Sequence, residues 1–242
     1  MFRALVIYLF FLPFCSLAQT VTDPSRDREI PIETYFPDNA VNCSPTARCA
    51  VAMLSAGYGV SHKDYQFLTK TLNRAGYLVV AVGHELPSDP PLSVEGNLYE
   101  TRAENWQRGA DTLSFIRAHF KTQLPAYNFD KVLLIGHSNG GDISAWLINH
   151  GATFADHIIT LDHRRVPLPR DPKIKVLSIR ASDFPADPGV LPNNEELKKY
   201  HSCVVTIAKA KHNDMSDEGP HWLKHSVAQM VTAHLNGSPC QN

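Results

Sequence analysis

The chain has 242 residues, 43% of them apolar, which is enough for one large domain with a full core. Its 23 Lys and Arg nearly balance 24 Asp and Glu, for a formal charge of −1. That balance gives no electrostatic reason to expect nucleic acid or an anionic membrane surface as a partner.

The N-terminus reads as a secretory signal. Arg3 supplies the positive charge and residues 4–15 are almost wholly apolar. Ser16 and Ala18 then put small residues where a signal peptidase needs them, just before Gln19. The expectation is a signal over residues 1–18, a single domain over 19–242, and a secreted or periplasmic address; a retained membrane anchor is the alternative. The apolar run is too short to span a bilayer, and no other segment approaches about 18 continuous apolar residues. Cleavage discards Cys15 and leaves Cys43, Cys49, Cys203 and Cys240, an even number that suits an oxidising compartment. Of the three possible pairings we favour Cys43 with Cys49, closing a short polar loop, and Cys203 with Cys240, pinning the C-terminal tail.

After a polar lead-in, residues 29–36 alternate apolar and polar side chains and read as an outer strand, closed by Pro37. Residues 50–54 form a short apolar strand that runs into the turn Ser55-Ala56-Gly57-Tyr58-Gly59. Tyr65, Leu68 and Leu72 give residues 62–75 helical spacing, and Gly76 stops that helix. Residues 77–82 are a continuous apolar strand, and 84–101, rich in Pro, Ser and Asp, a surface loop. A helix over 103–120 puts Trp106, Ala110, Leu113, Ile116 and Phe120 on one face. Strand 131–135, helix 139–150, strands 157–161, 174–179 and 204–208, and a last helix over 220–235 complete the pattern. Strands alternate with helices, and several strands are unbroken apolar runs, as in a mostly parallel sheet covered on both faces.

Gly136-His137-Ser138-Asn139-Gly140 follows the strand at 131–135 and opens the helix at 139–150. A G-x-S-x-G in that context is a nucleophile elbow: a strained strand-to-helix turn exposes the serine oxygen, and the small residues on either side avoid clashes. Ser138 is therefore the candidate nucleophile; an ordinary glycine-rich turn is the plain alternative.

With residues 28–37 (REIPIETYFP), Leu54 to Gly59, the elbow and the tail around His212, the chain resembles the alpha/beta-hydrolase superfamily, in particular its dienelactone-hydrolase and platelet-activating-factor-acetylhydrolase type. The resemblance implies the alpha/beta-hydrolase fold and a chain order of serine, acid, histidine. His212, just past the strand at 204–208, is then the candidate base, with an imidazole suited to taking and returning a proton near neutral pH. Asp183, in a post-strand loop like the family's, is the favoured acid, and Asp162 and Asp187 are its rivals. The backbone N–H groups of Tyr58 and Asn139 are the expected oxyanion donors. Where the family often has His-Gly, this chain has Ala56-Gly57, which removes a supporting side chain but not the donor.

His163, Arg164 and Arg165 form a basic cluster that either holds a substrate carboxylate or pairs with Asp162 and Asp171. His84 either lines the pocket or hydrogen-bonds within its loop. Tyr65 and Trp106 read as core. His221 and His225 stand four apart on the last helix, but with no HExxH pattern and no paired carboxylates, no metal site and no cofactor are expected. Only twelve residues join positions 161 and 174, which leaves no room for a helical lid and predicts a site open to small or extended esters. The expected partner is a small-molecule ester, cleaved through an acyl-serine. Two alternatives remain: an amidase, peptidase or acyltransferase using the same residues, and a catalytically silent binding protein of the same fold.

Overall fold

A computed structural model describes residues 16–38 and 40–240. Most of the expected signal therefore lies outside the described residues. The sheet has eight strands: β1 Ser16–Asp23, β2 Arg28–Tyr35, β3 Cys49–Ser55, β4 Leu78–Val82, β5 Tyr127–His137, β6 Ala155–Leu161, β7 Lys175–Arg180 and β8 Cys203–Thr206. Their spatial order is β1-β2-β4-β3-β5-β6-β7-β8. β1 and β2 run antiparallel to their neighbours, and β3 to β8 are parallel to one another.

The parallel strands read as unbroken apolar runs because successive side chains enter different cores. Val51 and Met53 of β3, Val80 of β4 and Leu134 of β5 face one side, where Trp106, Leu113, Ile116 and Ile143 pack on them. Those residues come from helices α3 (Ala103–Gln123) and α4 (Asn139–Asn149). Ala52, Leu54, Val79 and Leu133 face the other side, with Leu68, Leu72, Leu223 and Val227. These belong to α1 (Gln66–Arg74) and α6 (His221–Leu235). Two further helices are short: α2 (Leu98–Thr101) and α5 (Asn194–Tyr200).

Three local expectations change. The polar lead-in is itself a strand, β1, and it begins before the expected cleavage point. Cleavage after Ala18 would leave the pairs from Gln19–Ile32 to Asp23–Arg28 in place. The first helix begins at Gln66 because its free N–H groups are capped by a distant residue: Asp217 accepts from Gln66 N at 2.7 Å and from Phe67 N at 3.1 Å. Helix α2 falls in the stretch read as loop, and α5 in one given no element, although its capping box of Asn193 and Glu196 is present in the sequence.

Disulfides join Cys43 to Cys49 and Cys203 to Cys240. Among the described residues, no helix is long and apolar enough to cross a membrane.

Candidate active site

The parallel strands all end at one edge of the sheet, and the site lies there. Ser138 directly follows β5 and opens α4 with φ 50° and ψ −120°, a conformation a side chain rarely adopts. The turn tolerates it because its flanks are bare. A Cβ on Gly136 would overlap the Gly140 carbonyl, and one on Gly140 would overlap the Ser55 carbonyl. The Ser138 N–H donates to Leu161 O at 2.9 Å and its carbonyl accepts from Gly141 and Asp142, so the strain is held from both sides.

His212 stands at the start of a 3-10 turn after β8. Its Nε2 lies 2.9 Å from Ser138 Oγ, and its Nδ1 lies 2.6 Å from Asp162 Oδ2. A carboxylate only accepts, so Nδ1 carries the hydrogen and Nε2 offers its lone pair to the serine hydroxyl. The structure thus brings Ser138 and His212 together, and the carboxylate it sets on the ring is that of Asp162, not the favoured Asp183. Asp183 is exposed, three residues beyond β7, and its Oδ1 accepts from the backbone N–H of His212 at 2.8 Å instead of from the ring. Asp187 pairs with Arg165 and does not reach the histidine.

Asp162 reaches the ring through register. His137 pairs with Leu161 in the β5–β6 ladder, so the next residue of each strand, Ser138 and Asp162, leaves the sheet at the same level. Asp162 also has positive φ, 50°, and it is fully buried. Its second oxygen is occupied: Oδ1 accepts from Ala181 N at 3.0 Å and lies 2.8 Å from Arg180 Nη2. Burial opposes its charge, but the His212 bond, the Arg180 guanidinium and the Ala181 N–H together hold the carboxyl below its usual range. A carboxylate placed straight after an apolar strand, with an arginine ending the next strand, was the available signal.

The other candidates fall around this centre. Asn139 N–H is in the first turn of α4, where no intrahelical acceptor exists. The Asn139 side chain is fully engaged: Oδ1 accepts from Trp106 Nε1 at 2.9 Å, and Nδ2 donates to Asn105 Oδ1 at 2.8 Å and Glu85 Oε1 at 3.2 Å. Trp106 is therefore core and a hydrogen-bond donor at once. In the opposing turn, the Gly57 N–H is taken by Tyr65 Oη at 3.0 Å, and the Tyr58 hydroxyl accepts from Leu92 N at 3.1 Å, tying the 84–97 loop to the turn.

Of the basic cluster, His163 is buried, Arg165 pairs with Asp187, and the Arg164 guanidinium sits 4.3 Å over the Phe184 ring. Asp162 is taken by Arg180 and not by the cluster, and among the described residues no ion pair joins the cluster to Asp171. Phe184, 44% exposed, meets the His212 ring edge-on at 5.9 Å and forms part of the rim. His84 is buried with Nε2 2.9 Å from Ser55 Oγ, so it braces the end of β3. The loop from 162 to 174 carries no helix, and Ser138 remains partly exposed. Among the described residues, no cluster of three or more His, Cys, Asp or Glu could hold a metal ion.

Strand order, elbow and histidine placement define the alpha/beta-hydrolase fold, and solved structures of low sequence identity share it. A ferulic acid esterase from Streptomyces cinnamoneus matches with TM-score 0.65 at 16% identity, over 93% of this chain and 90% of that one. Thermogutta terrifontis esterase 2, phosphonylated by cyclosarin, matches with TM-score 0.65 at 11% identity, over 94% of this chain and 96% of that one. A dienelactone hydrolase-like promiscuous phosphotriesterase from metagenomic libraries matches with TM-score 0.59 at 15% identity, over 92% and 98%. No protein-family model matches the chain, and no curated protein matches its sequence.

Proposed function

We propose that this chain is a secreted or periplasmic serine hydrolase that cleaves carboxylic esters through an acyl-serine intermediate. The reading rests on one observation above the others: the unbroken line from Asp162 Oδ2 through the His212 ring to Ser138 Oγ, with contacts of 2.6 and 2.9 Å. In it, His212 Nε2 takes the Ser138 proton as Oγ attacks the ester carbonyl. The tetrahedral oxyanion is held by the N–H groups of Asn139 and Tyr58. His212 then returns the proton to the leaving alcohol, and water repeats the sequence to release the acid. Asp162 stays ionised, fixes the tautomer of His212 and stabilises the imidazolium. No step calls for a cofactor.

Two esterases and a dienelactone hydrolase-like enzyme among the structural neighbours support the ester class. The absence of a helix between β6 and β7 supports small or extended esters over an enclosed lipid. The signal-like residues 1–18 and the two disulfides support the extracytoplasmic address.

The test is a fluorophosphonate probe on the mature protein beside Ser138→Ala and His212→Ala, with p-nitrophenyl esters of rising chain length. Labelling lost in Ser138→Ala and weakened in His212→Ala is expected, with turnover greatest on short acyl chains. A folded wild type that neither labels nor hydrolyses overturns the proposal and leaves a binding protein of the same fold.

A further inference from the structure

Two buried side chains that take no part in the proposed chemistry connect its two arms. Tyr65, ahead of α1, and His137, beside the nucleophile, are 1% and 3% exposed. The Gly57 N–H donates to Tyr65 Oη at 3.0 Å, and that hydroxyl lies 2.8 Å from His137 Nδ1. On its far side, His137 Nε2 lies 3.0 Å from the carbonyl oxygen of His212.

Elimination sets the direction of every proton. A carbonyl oxygen only accepts, so His137 Nε2 carries the hydrogen. Burial, reinforced by the charge of a protonated His212, pushes the His137 pKa down to about 4, so near neutral pH its Nδ1 is a bare lone pair. Tyr65 must therefore donate to Nδ1 while accepting from Gly57. The chain of donors runs one way, from the turn after β3 to the loop that carries His212.

We propose that Tyr65 and His137 are positioning residues, a one-way hydrogen-bond relay from Gly57 to His212 that sets the spacing of the oxyanion turn and the histidine loop about Ser138. The inference rests on the serine-hydrolase reading above. Its ends meet the reacting groups: Gly57 directly precedes Tyr58, and the His212 carbonyl belongs to the base itself. Its middle is joined to the nucleophile, because His137 precedes Ser138 in the elbow. Space is tight as well. A Cβ on Gly57 would fall 2.8 Å from His137 Nδ1 and 3.4 Å from Ser138 Cβ, so the turn presses directly on the ring. The His137 and His212 ring centroids are 5.1 Å apart.

Tyr65→Phe keeps the ring and removes only the hydroxyl. The Gly57 N–H and His137 Nδ1 then both lose their partner, and the turn is free to rotate its amides. Because the relay aligns groups that act on the transition state, the loss belongs in kcat and not in KM. It should be smaller than the roughly 10²–10³-fold cost of deleting an oxyanion donor outright.

The experiment uses the full mature chain, with wild type, Ser138→Ala, Tyr65→Phe, His137→Gln and His137→Leu. Steady-state kinetics on a p-nitrophenyl ester, the rate of fluorophosphonate labelling and the thermal midpoint are read together. The expected result for Tyr65→Phe is a loss of about 10- to 100-fold in kcat and in labelling rate, with KM within about threefold of wild type. His137→Gln, whose amide N–H can still reach the His212 carbonyl, should keep more activity than His137→Leu. Wild-type kcat in Tyr65→Phe, a loss carried by KM, or a loss that vanishes on cooling overturns the relay. If Tyr65→Phe does not fold, the histidine pair decides, and equal losses in Gln and Leu overturn it. A labelled wild type with an indifferent Tyr65→Phe overturns the relay alone, whereas a wild type that neither labels nor hydrolyses overturns the parent reading too.

Discussion

Arg180 and Asp162 form a buried ion pair, with Nη2 2.8 Å from Oδ1 and side chains 4% and 0% exposed. The same guanidinium also donates to the His163 carbonyl, so it braces the chain just after the carboxylate that faces His212. Arg180 closes β7, the strand after which a catalytic acid was expected. A cation thus stands near that position and the anion stands one strand earlier.

Asp162→Asn should therefore cost far more activity than Asp183→Asn. With the carboxylate gone, an amide at position 162 no longer enforces the Nδ1–H tautomer, and kcat should fall by about 10⁴-fold. Asp183→Asn keeps an oxygen acceptor for the His212 N–H and should stay within about tenfold of wild type. Parallel kcat determinations on one ester check this, and the opposite ranking would restore Asp183 as the acid.

Removing the cation alone leaves a buried carboxylate partly uncompensated. Arg180→Met should lower stability by about 3–5 kcal/mol, as for other broken buried pairs. The same change in an Asp162→Asn background should cost less, because no unpaired charge remains. Denaturant midpoints of the four proteins measure the coupling, and strict additivity would show that the pair is energetically idle.

The two disulfides should contribute unequally. The separation is 37 residues for Cys203–Cys240 and 6 for Cys43–Cys49. Loop-closure entropy then predicts losses of about 4 and about 2 kcal/mol when each pair is replaced by alanine. Thermal unfolding of the two double variants compares them directly, and an equal or reversed order would show that local packing dominates.

Acid should weaken the fold well above the carboxylate range. Burial first, and neighbouring positive charge second, push His84, His137 and His163 down to about 3, 4 and 3. An unfolded histidine protonates near about pH 6.5, so between that value and about 4 the unfolded chain binds more protons than the native one. Stability should fall as pH is lowered across this window, by up to about 1.4 kcal/mol per unit for each histidine. Asp142 acts in the opposite sense: burial lifts it to about 6 against its three backbone N–H bonds, so its protonation favours the native state as pH drops. Burial also lowers His62 and His234, which act with these three, and raises Glu85, which acts with Asp142, so the histidines leave a net loss. Thermal midpoints at about pH 7, 5.5 and 4.5 should fall in that order, and a flat profile would mean that water or structural relaxation solvates these rings.

Parts of the site that depend on neighbours in the chain were legible early. The elbow is one pentapeptide whose glycines are needed for contacts within a few residues or with the adjoining strand, so Ser138 stands out as a candidate directly. His212 stands out because it follows the last strand. Tyr65 and Trp106 were recognised as core from their helical spacing, but their polar atoms were not, since spacing says which face is buried and nothing of what the hydroxyl or indole N–H meets. Tyr65 reaches His137, 72 positions away, and Trp106 reaches Asn139, 33 away.

The amino-acid sequence by itself determined the α/β architecture and singled out Ser138 and His212 as candidates, because periodicity and short motifs encode them locally. Only the tertiary structure decided which carboxylate meets the His212 ring. Asp162, Asp183 and Asp187 are chemically alike and all follow strands, and the choice among them rests on which carboxylate the β5–β6 register brings level with Ser138. It also decided where α1 begins, through the Asp217 cap, and how Tyr65 and His137 join the two sides of the site. Those outcomes turn on distances of a few ångströms between residues far apart in the chain, which no local pattern records.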